Sequence, residues 1–106
     1  MVTQQSALNI ARQFVAEVIA QGLPLQKALL FGSYSKGQQH ELSDIDVALV
    51  SDAFMGVGFF DIKQFAEVKI SNNLYATIET HTFNPKDFTP DNPFVKEIEQ
   101  TGLSLL

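Results

Sequence analysis

The sequence contains no cysteine, and it has no long hydrophobic run. Without cysteine, a disulfide scaffold, a thiolate nucleophile and a sulfur-ligated metal site are all excluded. The longest apolar stretch, residues 54–60, is interrupted by two glycines and is far too short to cross a membrane. Residues 1–6 also lack the basic and apolar character of a signal peptide. We therefore expect a cytoplasmic protein without a membrane segment.

Positive charge is also scarce. Seven lysines and arginines face twelve aspartates and glutamates, which gives a formal net charge of -5, and Arg12 is the sole arginine. Such a surface repels a phosphate backbone, so direct binding of DNA or RNA is not expected. If the protein handles phosphate groups, it must neutralise them locally, either with a metal ion or with backbone amides.

The size and composition are those of one globular domain. The chain has 106 residues, of which 45% are hydrophobic and 18% are charged, and this balance is typical of folded proteins and not of disordered ones. A chain of this length buries about two thirds of its unfolded surface, which suffices for one core. We expect residues 1–106 to form a single domain.

Hydrophobic periodicity predicts alternating helices and strands. Helices are predicted over residues 7–19, 61–71 and from 93 to the glycine at 102, and strands over 25–31, 44–50 and 74–83, with a loop over 35–43 and a final strand or tail over 103–106. Thr3 or Ser6 is suited to cap the first helix, and Asp61 with Gln64 has the spacing of a capping box. The order predicts an α/β (α+β) fold: a mixed sheet with helices on one face.

The second predicted strand carries two carboxylates on one face. Because side chains alternate along a strand, Ile45, Val47 and Leu49 share the face that should pack under the helices. Asp44 and Asp46 then share the opposite face, with Cα atoms about 6.5 Å apart, so both can reach one divalent cation. The alternative is that Asp44 is a loop residue and Asp46 lies on a solvated face.

A Gly-Ser pair, Gly32 and Ser33, follows the first predicted strand directly. Glycine permits close approach of a phosphate to the backbone, and a serine that caps a helical turn leaves amide groups free to bind an anion. The alternative is an ordinary turn between a strand and a loop.

Taken together, the two features form the pattern Gly-Ser, ten residues, Asp-x-Asp, here GSYSKGQQHELSDID. This pattern resembles the nucleotidyltransferase superfamily with a DNA-polymerase-β-like palm, and in particular its minimal, MNT-type members. The resemblance covers the chain from the first predicted strand to the third. It implies a palm-like mixed sheet in which Gly32 and Ser33 contact nucleotide phosphates and Asp44 and Asp46 bind Mg²⁺.

The same resemblance implies three further roles. Lys36 would help to bind the nucleotide, in a place where relatives often have arginine. Glu79 on the third strand would be the third catalytic and metal-binding carboxylate, although this residue is commonly aspartate in the family. Two Mg²⁺ ions with ATP as substrate would then support transfer of a nucleotidyl group, usually AMP, to an acceptor hydroxyl.

The resemblance also concerns partners. Larger relatives carry an additional domain that holds the acceptor, and minimal members are often paired with a HEPN-domain ribonuclease toxin, so we expect transfer to a hydroxyl of such a partner. Two alternatives remain: a non-catalytic antitoxin that acts by binding, and a subunit that modifies a small molecule and is completed by homo-oligomerisation.

Two other groups of residues stand out. His81 shares a predicted strand face with Glu79 and is thus placed to contact a metal or an acceptor, although a single histidine is more often a surface or hydrogen-bonded residue. Three phenylalanines, Phe54, Phe59 and Phe60, lie in a glycine-containing loop, where we expect them to be exposed.

Overall fold

A computed structural model describes residues 2–40 and 43–106. The predicted loop over 35–43 is seen only in part, since residues 41 and 42 lie outside the described residues. The helices are α1 (Gln4–Ala20), α2 (Gly58–Asp61), α3 (Ala66–Ile70) and α4 (Pro93–Thr101), and the strands are β1 (Lys27–Phe31), β2 (Ile45–Val50), β3 (Ile78–Phe83) and β4 (Leu103–Ser104). Single 3₁₀ turns cover Ile62–Gln64, Asn73–Thr77 and Pro85–Asp87.

The four strands form one sheet in the order β3-β2-β1-β4. Strand β1 is antiparallel to both β2 and β4, whereas β2 and β3 run parallel. The predicted mixed sheet and the α+β class are therefore confirmed. The connection between β2 and β3 contains α2 and α3. It is long enough to return the chain to the end of the sheet at which β2 begins, so β3 can run parallel to β2.

Helix α1 packs along the sheet through small and apolar side chains spaced three and four residues apart. Its buried residues are Ala7, Ala11, Phe14, Val15 and Val18. Thr3 caps the helix, in a reciprocal capping box with Ser6, and Gly22, with φ +107°, follows its end. In the described part of the chain no helix has both the length and the apolar character needed to cross a bilayer.

The two faces of the sheet carry separate hydrophobic clusters. Ile45, Val47 and Leu49 lie in the main core beneath α1, as predicted. On the opposite face, Ala48 and Val50 belong to a second cluster that includes Phe31 and Phe88, and α4 covers it with Val95 and Ile98. Helices thus lie on both faces of the sheet and not on one face as predicted, because Ala48 and Val50 make the second face apolar at the end of β2 and α4 buries them.

The predicted helix over 61–71 is interrupted, and the capping box at Asp61 is absent. Asp61 is 1% exposed, and its carboxylate accepts hydrogen bonds from the amides of Met55 and Gly56 and from the hydroxyl of Thr82. Phe65 adopts a non-helical conformation, φ -135° and ψ 17°, and its ring is fully buried. The need to bury this ring and to satisfy the loop amides overrides the local helical pattern.

The third predicted strand begins later than expected. Residues Asn73–Thr77 form a 3₁₀ turn capped by Asn72, so Thr77 does not extend the strand face of Glu79. Tyr75 is fully buried in this turn, where its ring packs edge-on against Phe14 at 5.2 Å. The exposed phenylalanines of the glycine-containing loop are Phe59 and Phe60, whereas Phe54, which we expected to be exposed, is buried in the core.

We expect Asp61→Ala to lower the free energy of unfolding by about 3–5 kcal/mol, because it leaves two loop amides and the Thr82 hydroxyl without their charged acceptor. Urea denaturation followed by circular dichroism measures the effect. The matched control is Asp91→Ala, which removes an exposed carboxylate and should change stability by less than about 0.5 kcal/mol. Equal effects of the two substitutions would contradict a structural role for Asp61.

Tyr75 provides a prediction on pH. Burial, together with the hydrogen bond to Glu17 and the negative charge of that carboxylate, raises the pKa of Tyr75 to about 12. Because the folded state favours the neutral phenol, this stabilisation is present below the ordinary tyrosine pKa and is lost as the pH rises towards 12. Tyrosinate absorbance should show a step near this pH that is missing in Tyr75→Phe, where Tyr34 is the remaining tyrosine. A titration that is unchanged in shape in the variant would refute the shift.

Candidate active site

Two carboxylates meet at one end of the parallel strand pair. Asp46 on β2 lies directly opposite Glu79 on β3 in the strand register, and neighbouring strands are separated by about 4.8 Å. Asp46 is shielded, with 24% of its side chain exposed, whereas the Glu79 side chain is 56% exposed. The pair therefore concentrates negative charge at the open part of the second sheet face.

His81 joins these carboxylates. Its Nε2 atom lies 3.5 Å from Oδ1 of Asp46 and 3.9 Å from Oε1 of Glu79. One ligand atom from each of the three residues lies within 4.8 Å of the other two. Hereafter these residues, Asp46, Glu79 and His81, are called the three-ligand cluster. It offers two oxygen ligands and one nitrogen ligand to a cation.

The turn after β1 lies against the same carboxylate. Asp46 pairs with Phe31, the last residue of β1, and this pairing brings the next residue, Gly32, alongside Asp46. A Cβ atom on Gly32 would lie 2.3 Å from Oδ2 of Asp46, and Gly32 has φ +76°. Any other residue would be strained by this backbone conformation and would force the Asp46 carboxylate to shift, so the position favours glycine.

Residues 32–37 form a turn that is tied to α1. Within residues 2–40 and 43–106, the backbone amides of Ser33, Tyr34 and Ser35 donate to no protein acceptor. Gln4 holds the turn from outside, because its side-chain amide donates to the carbonyl oxygens of Tyr34 and Ser35 at 2.8 and 3.3 Å. Consecutive unpaired amides next to a glycine are suited to bind an anion.

A cleft of about 170 Å³ opens beside this turn. Its lining includes Gly32, Lys36, Phe94 and Glu97. The ammonium group of Lys36 donates to Oε1 of Glu97 at 2.7 Å, and both side chains are partly exposed. Lys36 therefore lies at the edge of the site, next to the turn but held by an acidic residue of α4.

The predicted site residues are brought together in part. Gly32, Ser33 and Lys36 lie in one turn, and Asp46 and Glu79 face each other beside it. Asp44 lies one residue before β2 and is exposed. Among the described residues, Asp44 is not part of the three-ligand cluster.

The cluster fits a divalent cation by its chemistry. Two neighbouring carboxylates on one sheet face repel each other, and a cation between them would relieve this repulsion. Carboxylate oxygens are the ligands that Mg²⁺ and Mn²⁺ prefer, and imidazole is a common ligand of the heavier divalent metals.

Three further residues of the site, His81, Phe94 and Glu97, are only weakly indicated by the local sequence. His81 follows Glu79 by two residues, which places it on the same strand face, but the sequence does not show that its side chain reaches diagonally across the strand pair to Asp46. Phe94 and Glu97 on α4 belong to no recognisable motif. Their placement depends on how α4 packs across Phe31, whose ring lies 5.6 Å from that of Phe94.

We expect Gly32→Ala to destabilise the fold by about 3 kcal/mol or more, because it adds a collision with Asp46 to the cost of a left-handed backbone. Gly37→Ala is the matched control. Gly37 has a similar φ of +70°, but no atom lies within 4 Å of the position that its Cβ would occupy, so its variant should lose only about 1–2 kcal/mol. Thermal and urea denaturation compare them, and equal losses would show that the Asp46 contact does not constrain Gly32.

Similar architectures occur among solved structures. A protein from Sulfolobus solfataricus that was assigned as a nucleotidyltransferase aligns with a TM-score of 0.66 at 20% identity, over 95% of this chain and 80% of that chain. A toxin-antitoxin structure with AMP-PNP gives 0.58 at 22% identity, and a mutant of the toxin-antitoxin MntA-HpeT gives 0.59 at 19% identity. Each of these two alignments covers 90% of this chain and 72% of the other. At these identities the similarity shows a shared fold.

Sequence comparison shows the family directly. No curated protein matches the chain significantly. Residues 13–105, however, match the family described as "Polymerase beta, Nucleotidyltransferase", and this range contains the turn at Gly32, both acidic strands and α4. The chain therefore belongs to the polymerase-β-type nucleotidyltransferase family.

Proposed function

We propose that this protein is a metal-dependent nucleotidyltransferase that moves NMP, in particular AMP from ATP, to a hydroxyl group of a partner protein. The observation that carries the proposal is the convergence of Asp46 and Glu79, from two parallel strands, beside the backbone turn at Gly32. We also propose that residues 1–106 act as one nucleotidyltransferase domain. The cytoplasmic location stays a prediction.

The turn is the proposed phosphate site. The amides of Ser33, Tyr34 and Ser35, which have no acceptor among the described residues, can donate to phosphate oxygens, and Gly32 lets the phosphate approach because it has no side chain. Lys36 adds a positive charge next to this turn. To bind phosphate, its ammonium group would have to leave the carboxylate of Glu97. Such local donors are needed because the chain as a whole carries a net charge of -5.

Asp46 and Glu79 are the proposed metal-binding pair, with Asp44 available at the start of β2 for a second ion. When bound, Mg²⁺ would neutralise charge on the triphosphate and polarise its phosphorus–oxygen bonds. The β1–β2 register places the backbone of Asp46 beside the turn, and Gly32 leaves room for its carboxylate there. Positioning of this kind supplies much of the rate in phosphoryl chemistry.

The proposed reaction is a direct displacement at the α-phosphorus. The acceptor hydroxyl oxygen forms a bond to this phosphorus, the bond to the bridging oxygen of the β-phosphate breaks, and pyrophosphate leaves with the bonding electrons. The hydroxyl proton passes to the carboxylate of Glu79, whose exposed side chain faces the open side of the site. Glu79 thus has two proposed roles, as metal ligand and as base.

A protein acceptor is supported by an exposed apolar surface. The surface is contributed by the loop after β2 and the short helix that follows, through Met55, Val57, Phe59, Phe60 and Ile62. Phe59 is 76% exposed and Met55 is 68% exposed, and exposed apolar residues in such a group favour contact with another protein. Two relatives of similar fold are toxin-antitoxin proteins, so we propose a HEPN-type toxin as the partner and an antitoxin role for this chain.

The same surface favours a second candidate, an antitoxin that acts by binding alone. In this case the toxin would be neutralised by contact, with the nucleotide as a bound ligand. A homo-oligomer that covers these residues is distinguished by the same experiment, because it would form without a toxin.

The test is transfer of label from [α-³²P]ATP to the HEPN-type partner in the presence of Mg²⁺. We expect the partner to be labelled by the wild type, and we expect Asp46→Asn to reduce the rate at least about 100-fold, as loss of one electrostatic contact in an active site does. The matched control is Asp91→Asn, an exposed aspartate far from β2 in sequence, which should label the partner at the wild-type rate.

Three results would be decisive. Labelling that persists in Asp46→Asn would remove Asp46 from the mechanism. Neutralisation of the toxin by Asp46→Asn, with no label transferred by the wild type, would favour the binding-only candidate. Self-association without a toxin, which Phe59→Ser abolishes, would identify the apolar surface as an oligomer contact.

A further inference from the structure

We infer that His81 is itself a metal ligand, and that the three-ligand cluster therefore prefers an ion with affinity for imidazole, such as Zn²⁺ or Mn²⁺, over Mg²⁺. This inference rests on the proposed function only in using the same two carboxylates. It concerns which ion the apo protein binds, and it holds whether or not a nucleotide is transferred.

The Nε2 atom of His81 makes no hydrogen bond to any other residue that the structure describes. This atom has almost no solvent exposure, and within the described ranges it has no hydrogen-bond partner. The distances of 3.5 and 3.9 Å to the oxygens of Asp46 and Glu79 exceed those of normal hydrogen bonds. A buried nitrogen without a hydrogen bond is rare in folded proteins, and a bound cation would give this nitrogen a partner.

Two neighbouring phenylalanine rings pack against the His81 imidazole. The His81 ring packs edge-on against Phe31, with centroids 4.9 Å apart, and against Phe94, with centroids 5.9 Å apart. Phe31 is buried at the end of β1, and Phe94 lies in the first turn of α4. The two rings therefore limit the movement of the His81 side chain, whose Nε2 atom lies on the side of the carboxylates.

The spacing of the ligand atoms also suits a cation. Two atoms that each lie about 2.1 Å from a tetrahedral ion are about 3.4 Å apart. The separation of 3.5 Å between His81 and Asp46 is close to this value, and the separation of 3.9 Å to Glu79 is slightly larger. The exposed and unbranched side chain of Glu79 can close the difference by a change of rotamer.

The ligand types then set the metal preference. Mg²⁺ favours oxygen ligands and retains several waters, so a fixed imidazole nitrogen adds little to its binding. Zn²⁺ binds imidazole strongly, and Mn²⁺ binds both imidazole and carboxylate sites, although more weakly. Three protein ligands with room for a further ligand on the open side are the arrangement of catalytic zinc sites.

Isothermal titration calorimetry of the nucleotide-free protein tests this inference with Zn²⁺, Mn²⁺ and Mg²⁺ separately. We expect Zn²⁺ to bind at least about tenfold more tightly than Mg²⁺. His81→Gln should weaken Zn²⁺ binding about tenfold or more and change Mg²⁺ binding by less than about twofold. The matched control is His40→Gln, which substitutes the other histidine of the chain and should leave all three affinities unchanged.

A second measurement needs no variant at the site. Paramagnetic Mn²⁺, added in small amounts to the wild type, should broaden the imidazole proton resonances of His81 before those of His40. Equal broadening of the two histidines, or Zn²⁺ affinity retained in His81→Gln, would overturn the inference. If Zn²⁺ binds through His81 but no label is transferred to a partner, the proposed function fails and the metal site stands; the reverse result rejects the metal site alone.

Discussion

The repulsion between two carboxylates that the strand register places opposite each other is the constraint on which this site depends. The backbones of Asp46 and Glu79 cannot move apart without shifting β3 relative to β2, and such a shift would turn the apolar residues of one strand to the wrong face. Like charges directly across a strand pair cost stability. The sheet tolerates this cost because β2 is buried along the rest of its length, and a cation bound between the two carboxylates would remove the repulsion.

The rest of the fold holds this register in place. On one face, Val47 and Leu49 are fully buried beneath α1, so β2 has a fixed orientation in the core. On the other face, Ala48 and Val50 are covered by α4 while Asp46 stays at the open edge. The change from acidic to apolar along a single strand face separates the site from the second core. It also explains why α4 borders the cleft.

Local sequence patterns were sufficient for much of this architecture. The alternation around β2 predicted which residues enter the core, and the Gly-Ser turn with the acidic pair predicted the family. The interrupted region between Asp61 and Tyr75 was not predictable, because there the burial of Phe65 and the long-range bonds of Asp61 override helical periodicity. The contact of His81 with Asp46 was not predictable either. It depends on the pairing of β2 with β3, and the residues of one strand do not show which strand lies beside it.

The proposed roles of Asp44 in metal binding and of Lys36 in nucleotide binding rest on the resemblance to the nucleotidyltransferase motif more than on the geometry of the site. Asp44 has the spacing that the family motif requires, yet its carboxylate lies outside the three-ligand cluster. Lys36 lies next to the turn, and its partner Glu97 comes from a helix that the motif does not include. For both residues, ligand binding would have to change the side-chain arrangement that the structure shows.

The two hydrogen bonds from Gln4 to the carbonyl oxygens of Tyr34 and Ser35 join the first turn of α1 to the loop that follows β1. Tyr34 is itself buried against the core. The loop is thereby preorganised: its main-chain entropy is already lost on folding, so a ligand bound by its amides would not bear that loss on association.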